Sequence, residues 1–258
     1  MILYFSATGN TLLVARAIQK ATGDEMHPIK EYIDSKNYAI ESDSPVVIVS
    51  PIHVWKVPDF IMDYLKKAEI SGTKDIYFVV TCRREAGNTD KTLEHFCAKK
   101  GWNLRGIGVI KMPFGYLMGQ EIDDEKLSKK IIKGSIQNIK DICAKIANGE
   151  YIDYTAGRTG YKVTVFSKLY RVYYVNAGSF RVNKNLCDGC GLCRDLCPMH
   201  SIYMKDNHPA WKVKCSHCTS CINNCPKKAI EYGQVTKGSP RYHCPYETLE
   251  EAEADDSQ

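Results

Sequence analysis

Two stretches decide the reading of this chain: CDGCGLCRDLCP at residues 187–198 and CSHCTSCINNCP at residues 215–226. The first sets out Cys187, Cys190, Cys193 and Cys197 before Pro198. The second sets out Cys215, Cys218, Cys221 and Cys225 before Pro226. Both read C-x2-C-x2-C-x3-C-P. Every cysteine of the first run recurs 28 residues later, and Ile202 recurs in the same way as Ile230. A cysteine run followed by a short apolar strand is therefore used twice.

The spacing carries chemistry. Three thiolates at two-residue steps can wrap three corners of an iron–sulfur cube. The fourth stands too far along the chain, turned away by its proline, and so ligates the other cluster. One cluster then takes Cys187, Cys190, Cys193 and Cys225, and the other Cys215, Cys218, Cys221 and Cys197. Zinc and a disulfide framework are the alternatives. Zinc favours two separated C-x2-C pairs arranged as a tetrahedron, which leaves the third cysteine of each run poorly explained. The expectation is two [4Fe–4S] clusters moving single electrons. From about Phe180 to Gln234 the chain resembles the small two-cluster ferredoxin domain, a pseudo-symmetric α+β unit.

A different signal opens the chain. The apolar run Ile2 to Phe5 leads straight into Ser6, Ala7, Thr8, Gly9, Asn10 and Thr11, and a helix with apolar Val14, Ala17, Ile18 and Ala21 follows, stopped by Gly23. A strand, a loop of small hydroxyl residues and a helix N-terminus make an anion site, because backbone N–H groups and the helix dipole converge there. The loop lacks a lysine and any G-x-x-x-x-G-K-[ST], so it is not a nucleoside-triphosphate loop, and no G-x-G-x-x-G marks a dinucleotide site. Three further short apolar runs, at 45–50, 75–81 and 107–112, read as strands buried on both faces. The last helix carries a core stripe of Ile132, Ile136, Ile139, Cys143 and Ile146, with Asp123, Asp124 and Glu125 at its start. Strands alternating with helices predict an α/β fold, a parallel sheet with helices on both faces.

The stretch YFSATGNT resembles the phosphate loop of flavodoxins, which carry S/T-x-T-G-N-T after the first strand. That resemblance implies a doubly wound parallel sheet of five strands in the order 2-1-3-4-5; flavodoxin is itself the type example of that order. It implies FMN, with its phosphate on Ser6, Thr8, Gly9, Asn10 and Thr11 and on the backbone of Ala7. Two loops should then close over the flavin ring. The first runs through Pro51, Ile52, His53, Val54, Trp55 and Lys56 to Pro58. Trp55 is the candidate to stack on the ring, or else packs on its own loop, and His53 either donates to the flavin or is simply solvated. The second holds Thr81, Cys82, Arg83, Arg84, Gly87 and Asn88, with small residues that allow backbone approach. Arg83 and Arg84 depart from flavodoxins, which are acidic around the flavin. They either favour the anionic reduced ring or are solvated.

A chain of 258 residues predicts two domains. The divisions are 1–150 for the flavodoxin-like domain, 151–179 for a connecting segment, 180–235 for the ferredoxin domain and 236–258 for an acidic tail. In the connector, Phe166, Leu169, Tyr170 and Tyr173 share a helical face and predict a docking helix, with a partner-binding surface as the alternative. The tail, ending ETLEEAEADDSQ, is expected to be mobile and solubilising. Cys82, Cys97, Cys143 and Cys244 read as buried thiols. Cysteine usage and the lack of a secretory start point to a reducing cytoplasm, and no apolar run approaches a membrane span. Residues 151–235 carry 12 basic and 5 acidic side chains, with no nucleic-acid stripe; a mildly basic face either docks an acidic protein or does nothing specific.

Taken together, the chain resembles flavodoxin–ferredoxin fusion proteins of the EFR1 type, found in anaerobes. The resemblance implies an oxidoreductase or electron-transfer flavoprotein passing electrons between two [4Fe–4S] clusters and FMN. Its outlet is a small-molecule acceptor or a redox partner protein, either a ferredoxin-type donor or an acceptor enzyme. A non-catalytic carrier and a redox-sensing interaction protein are the alternatives. No acid–base pair, nucleophilic triad or NAD(P)H site is legible, so no catalytic residue is assigned.

Overall fold

Short apolar runs alternating with amphipathic helices build a parallel sheet in the computed structural model, which describes residues 1–118, 122–154 and 177–255. Strands β1 (Ile2–Tyr4), β2 (Met26–Pro28), β4 (Val46–Pro51), β6 (Asp75–Cys82) and β7 (Asn103–Lys111) form one five-stranded sheet in the order β2-β1-β4-β6-β7, every pair parallel. This is the doubly wound order expected, with β4, β6 and β7 as the third to fifth strands. The edge strand β2 is too short for a periodic signal and ends in Pro28, which only an edge position tolerates. A separate parallel pair, β3 (Ala39–Ser42) with β5 (Glu69–Gly72), extends the rim.

Alternate residues of the strands feed two cores. Leu3, Ile48, Ile76 and Phe78 face one side, while Ile2, Val47, Val49, Tyr77 and Val79 face the other. On the first side lie α3 (Asp59–Lys67) and α4 (Thr89–Lys100), which bury Phe60, Ile61, Leu93 and Cys97; the short α2 (Ile29–Ser35) follows β2. The second side is closed by α1 (Asn10–Thr22) and α5 (Glu125–Ala147). Helix α1 ends where Gly23 turns left-handed and returns its N–H to the Gln19 carbonyl. Helix α5 starts at Asp124, whose carboxylate accepts the Leu127 N–H at 2.7 Å.

The cysteine-rich unit has two antiparallel strand pairs, a central hairpin and a pair that joins its two ends. Strand β8 (Phe180–Val182) pairs antiparallel with β11 (Ile230–Tyr232), and β9 (Ile202–Lys205) with β10 (His208–Trp211). The β9–β10 turn is Asp206–Asn207, both residues at positive φ, the mirror-image turn that matches strand twist. One-turn helices α6 (Leu192–Asp195) and α7 (Ser220–Asn223) carry the two cysteine runs. The core of this unit includes Leu117 and Met118 from the loop after β7, together with Phe180, Ile202, Ile222 and Ile230. The two halves of the chain therefore share a core.

The tail departs from the expectation of a mobile end. Residues 236–255 run back over the N-terminal sheet, and helix α8 (Leu249–Ala254) buries Leu249 and Ala252, with Tyr246, in the core under α1 and α5. Its acids meet cations on those helices: Glu247 with Arg16 at 3.3 Å, Glu250 with Lys20, and Glu253 with Lys140. These pairs lie at the exposed rim, and the apolar side chains Tyr246, Leu249 and Ala252 hold the segment down. The predicted docking helix with Phe166, Leu169, Tyr170 and Tyr173 lies outside the described residues.

Candidate functional site

The runs fold into cages because each turns left-handed just before its one-turn helix, at Gly191 and at Thr219. Cys187, Cys190 and Cys193 ring one cavity, and the fourth cysteine on its wall is Cys225 from the second run. Cys197 in turn stands among Cys215, Cys218 and Cys221, close enough for its charge to act on all three. The repeat extends to hydrogen bonding. The Cys197 sulfur accepts the N–H of Ser201, and the Cys225 sulfur that of Ala229, both at 3.3 Å. The Cys215 sulfur accepts the His217 N–H, also at 3.3 Å. Such donors stabilise sulfur that carries negative charge.

Burial acts against that charge. It pushes the Cys193 and Cys218 thiols up to about 11 and Cys215 to about 12, and Cys221 rises as well. Metal binding takes such thiols as thiolates and releases their protons. Among the described residues no three His, Cys, Asp or Glu side chains close on a single ion. Two sets of four thiols with nothing but sulfur donors, each drawing on both runs, are a donor set that fits iron–sulfur cubes.

The loop after β1 is the second part of the site. Ser6, Ala7, Thr8 and Gly9 are half-buried and line a cavity of about 510 Å³. Gly9 caps α1 at φ 100°, where a side chain is disfavoured, and its N–H donates to the Ser6 hydroxyl at 3.1 Å. No side chain caps α1 and no acid stands in its first turn, which leaves that helix end suited to an anion. Asn10 and Thr11 are buried and committed to the protein. The Asn10 amide donates to the Pro113 carbonyl at 3.0 Å, and the Thr11 hydroxyl bonds that of Thr81 at 2.9 Å. Of these two residues, only the backbone can reach a ligand.

The two further loops sit side by side. His53 and Lys56 exchange backbone hydrogen bonds across a turn whose central residues, Val54 and Trp55, both have positive φ. For a β-branched residue such as Val54 this is strained backbone, of the kind stored at ligand-binding turns. The half-buried Trp55 packs on the second loop, where a Cβ on Gly87 would meet the Trp55 carbonyl oxygen at 2.3 Å. Ile52 donates its N–H to the Thr81 carbonyl at 2.9 Å, which joins the loops at their base next to Pro51. Cys82 is buried core. Arg83 is half-buried and paired: its Nε donates to Asp123 at 2.7 Å, and Asp123 also accepts the Phe114 N–H at 2.7 Å. Asp123 thereby serves Arg83 and the loop after β7, while Asp124 caps α5. Arg84 is exposed, and Asn88 precedes α4 without a side-chain cap. None of the residues 51–58 or 81–88 lines the cavity at the loop after β1.

The second cysteine run is docked on these elements. The Asn224 amide donates to the Ala7 carbonyl at 2.8 Å, the Asn223 amide to the Gly115 carbonyl at 3.2 Å, and Tyr116 bonds the His217 ring at 3.2 Å. Met199 and Cys218 pack against the core cluster that Ala7 and Ile52 also border. His200 reaches Asp34 on α2 at 2.9 Å. The cavity of Cys187, Cys190 and Cys193 takes no lining residue from the N-terminal half, and Cys190 is exposed, whereas Leu196 further along the first run borders the cavity at the loop after β1. Of the remaining cysteines, Cys82, Cys97 and Cys143 are buried and Cys244 is half-buried against Gly9.

Several residues of this seam escaped sequence reasoning. Asn223 and Asn224 sit inside a run read only for its cysteines. Tyr242 and Cys244 lie in the segment taken for a loose tail, although the apolar block YHCPY at 242–246 marks a buried stretch in acidic surroundings.

Comparison with known families agrees with this geometry. A family model of the flavodoxin domain matches residues 1–129, and one of the 4Fe-4S dicluster domain matches residues 181–230. No curated protein matches the chain at a significant level. Half of the chain falls under the first model, and its sheet has the strand order of that fold. This chain therefore belongs to the flavodoxin domain family, with a 4Fe-4S dicluster ferredoxin domain fused behind its flavodoxin domain.

Proposed function

We propose that the protein exchanges electrons between FMN held by its N-terminal half and two [4Fe–4S] clusters held by its cysteine runs, and passes them to a partner. The observation that supports this most is the docking of the second run on the phosphate loop, through Asn224 and the Ala7 carbonyl at 2.8 Å. Bound, FMN would supply storage for one or two electrons and the clusters single-electron transfer. Ser6 to Thr11 would hold the phosphate by backbone N–H groups and the Ser6 and Thr8 hydroxyls. The loops at Pro51–Trp55 and Thr81–Asn88 would flank the ring, with Trp55 as its apolar wall. Cys215, Cys218, Cys221 and Cys197 would hold the inner cluster, on the seam between the halves. Cys187, Cys190, Cys193 and Cys225 would hold the outer one.

The surface supports a protein partner. Across residues 178–240, nine lysines and arginines are exposed against three aspartates, a field that steers an acidic redox protein. Among the described residues no helix is long and apolar enough to cross a membrane. The twelve cysteines suit a reducing cytoplasm.

Anaerobic isolation tests the reading. The protein should carry one FMN, about eight irons and about eight acid-labile sulfides, the content of two cubes. Zinc without labile sulfide, or a protein that binds no FMN, would overturn it.

A further inference from the structure

The phosphate loop is not held by the N-terminal half alone. The Ala7 carbonyl accepts from Asn224 at 2.8 Å, the Thr8 carbonyl accepts the Cys244 N–H at 2.7 Å, and the Asn10 side-chain oxygen accepts the Tyr242 hydroxyl at 2.6 Å. Packing is equally close. A Cβ on Gly9 would meet the Cys244 Cβ at 2.7 Å, and one on Gly115 would meet the Tyr242 ring at 2.6 Å. The segment that makes these contacts is fixed to the second cysteine run. Tyr242 donates its N–H to the Asn223 side chain and the His243 ring bonds the Asn223 carbonyl, both at 3.0 Å. Arg241 bonds Glu231 at 2.8 Å.

These anchors bear on ligand geometry. In a planar trans peptide the carbonyl and the following N–H point opposite ways. Anchoring the Ala7 and Thr8 carbonyls therefore fixes where the Thr8 N–H aims and holds the Gly9 N–H on the Ser6 hydroxyl. It also turns two carbonyl dipoles away from any bound anion. Tyr242 sets Asn10, the first residue of α1, from the other end.

We propose that Tyr242 and Asn224 are positioning residues for the flavin phosphate: the phosphate loop is a composite site, completed by the C-terminal segment and the second cysteine run. This rests on the FMN reading above. A flavin lacking the phosphate does not use the loop, so the two residues govern the preference for FMN over riboflavin.

The test is flavin binding by the full-length, cluster-loaded protein after removal of its flavin, titrated with FMN and with riboflavin by fluorescence quenching. Tyr242→Phe keeps the ring against Gly115 and removes only the hydroxyl, and Asn224→Ala removes the bond to Ala7. Loss of one such bond should raise the FMN Kd about 3- to 10-fold in each variant. The riboflavin Kd should stay within about 2-fold, since it senses no change at the loop. Equal weakening of both flavins, or no change in either, overturns the inference, because a merely structural role does not discriminate by the phosphate. Wild-type protein that fails to bind FMN instead overturns the function proposed above and the inference with it. Should one variant not fold, as judged by melting and by the cluster spectrum, the other decides the question.

Discussion

Replacing Leu117 by alanine tests whether the two halves form one folded body. Leu117 follows β7 of the flavodoxin sheet, yet it is 1 % exposed within the core of the ferredoxin unit, in a cluster with Phe180, Ile222 and Ile230. The substitution removes three carbon groups, about 2.4 kcal/mol of transfer free energy at roughly 0.8 kcal/mol each. The void left between two relatively rigid units raises this to about 3 kcal/mol, within the range for buried leucines. An anaerobic urea titration followed by cluster absorption reads the loss. With a slope of about 2 kcal/mol per molar urea, the midpoint should fall by about 1.5 M. Leu127→Ala on α5 is the control: that side chain is 39 % exposed, and its loss should cost under about 0.5 kcal/mol. A Leu117→Ala midpoint no lower than the control's would show that the ferredoxin unit holds itself together without the flavodoxin half, and the shared core would be wrong.

Three other outcomes follow from the geometry. Cys225→Ser should damage the cluster of Cys187, Cys190 and Cys193, and Cys197→Ser that of Cys215, Cys218 and Cys221; electron paramagnetic resonance showing each lesion confined to its own run would refute the crossed arrangement. Burial pushes the Cys97 and Cys143 thiols up to about 12, so both stay protonated at pH 8. Iodoacetamide should leave them unmodified in the folded protein and label both after denaturation, and rapid native labelling seen by mass spectrometry would contradict the burial. With the second run docked on the phosphate loop, flavin reduction through the ferredoxin unit should be first order in rapid-mixing experiments. A rate that climbs with protein concentration would mean that the electrons travel between molecules.

Legibility followed signal length. Strand β6 and helix α5 are long enough for their burial pattern to stand out, and both lie within a residue or two of the expected bounds at their clearest ends. Strand β7 begins at Asn103, four residues before the apolar run that marked it, because its first residues are only partly buried. Strand β2 and the β3–β5 pair are three or four residues each and leave no periodic trace. The cysteine runs were readable because ligand spacing is local. The role of Asp123 was not: it sits beside Asp124 at a helix start, yet its carboxylate serves Arg83 and the Phe114 N–H, one of them 40 residues away in sequence.

The sequence by itself determined the candidate chemistry: which thiols come in threes, which loop runs from a strand into a helix start, and which runs are buried on both faces. Those properties reside in residue types a few positions apart. Only the tertiary structure decided how the pieces meet. The acidic segment closes on Arg16, Lys20 and Lys140 because charges scattered over two helices form one surface only after α1 and α5 pack together. The loop after β1 takes its anchors from Asn224, Tyr242 and Cys244, more than 200 residues downstream, because each anchor is an ordinary hydrogen-bonding group until folding brings it to a carbonyl or an amide in need of a partner.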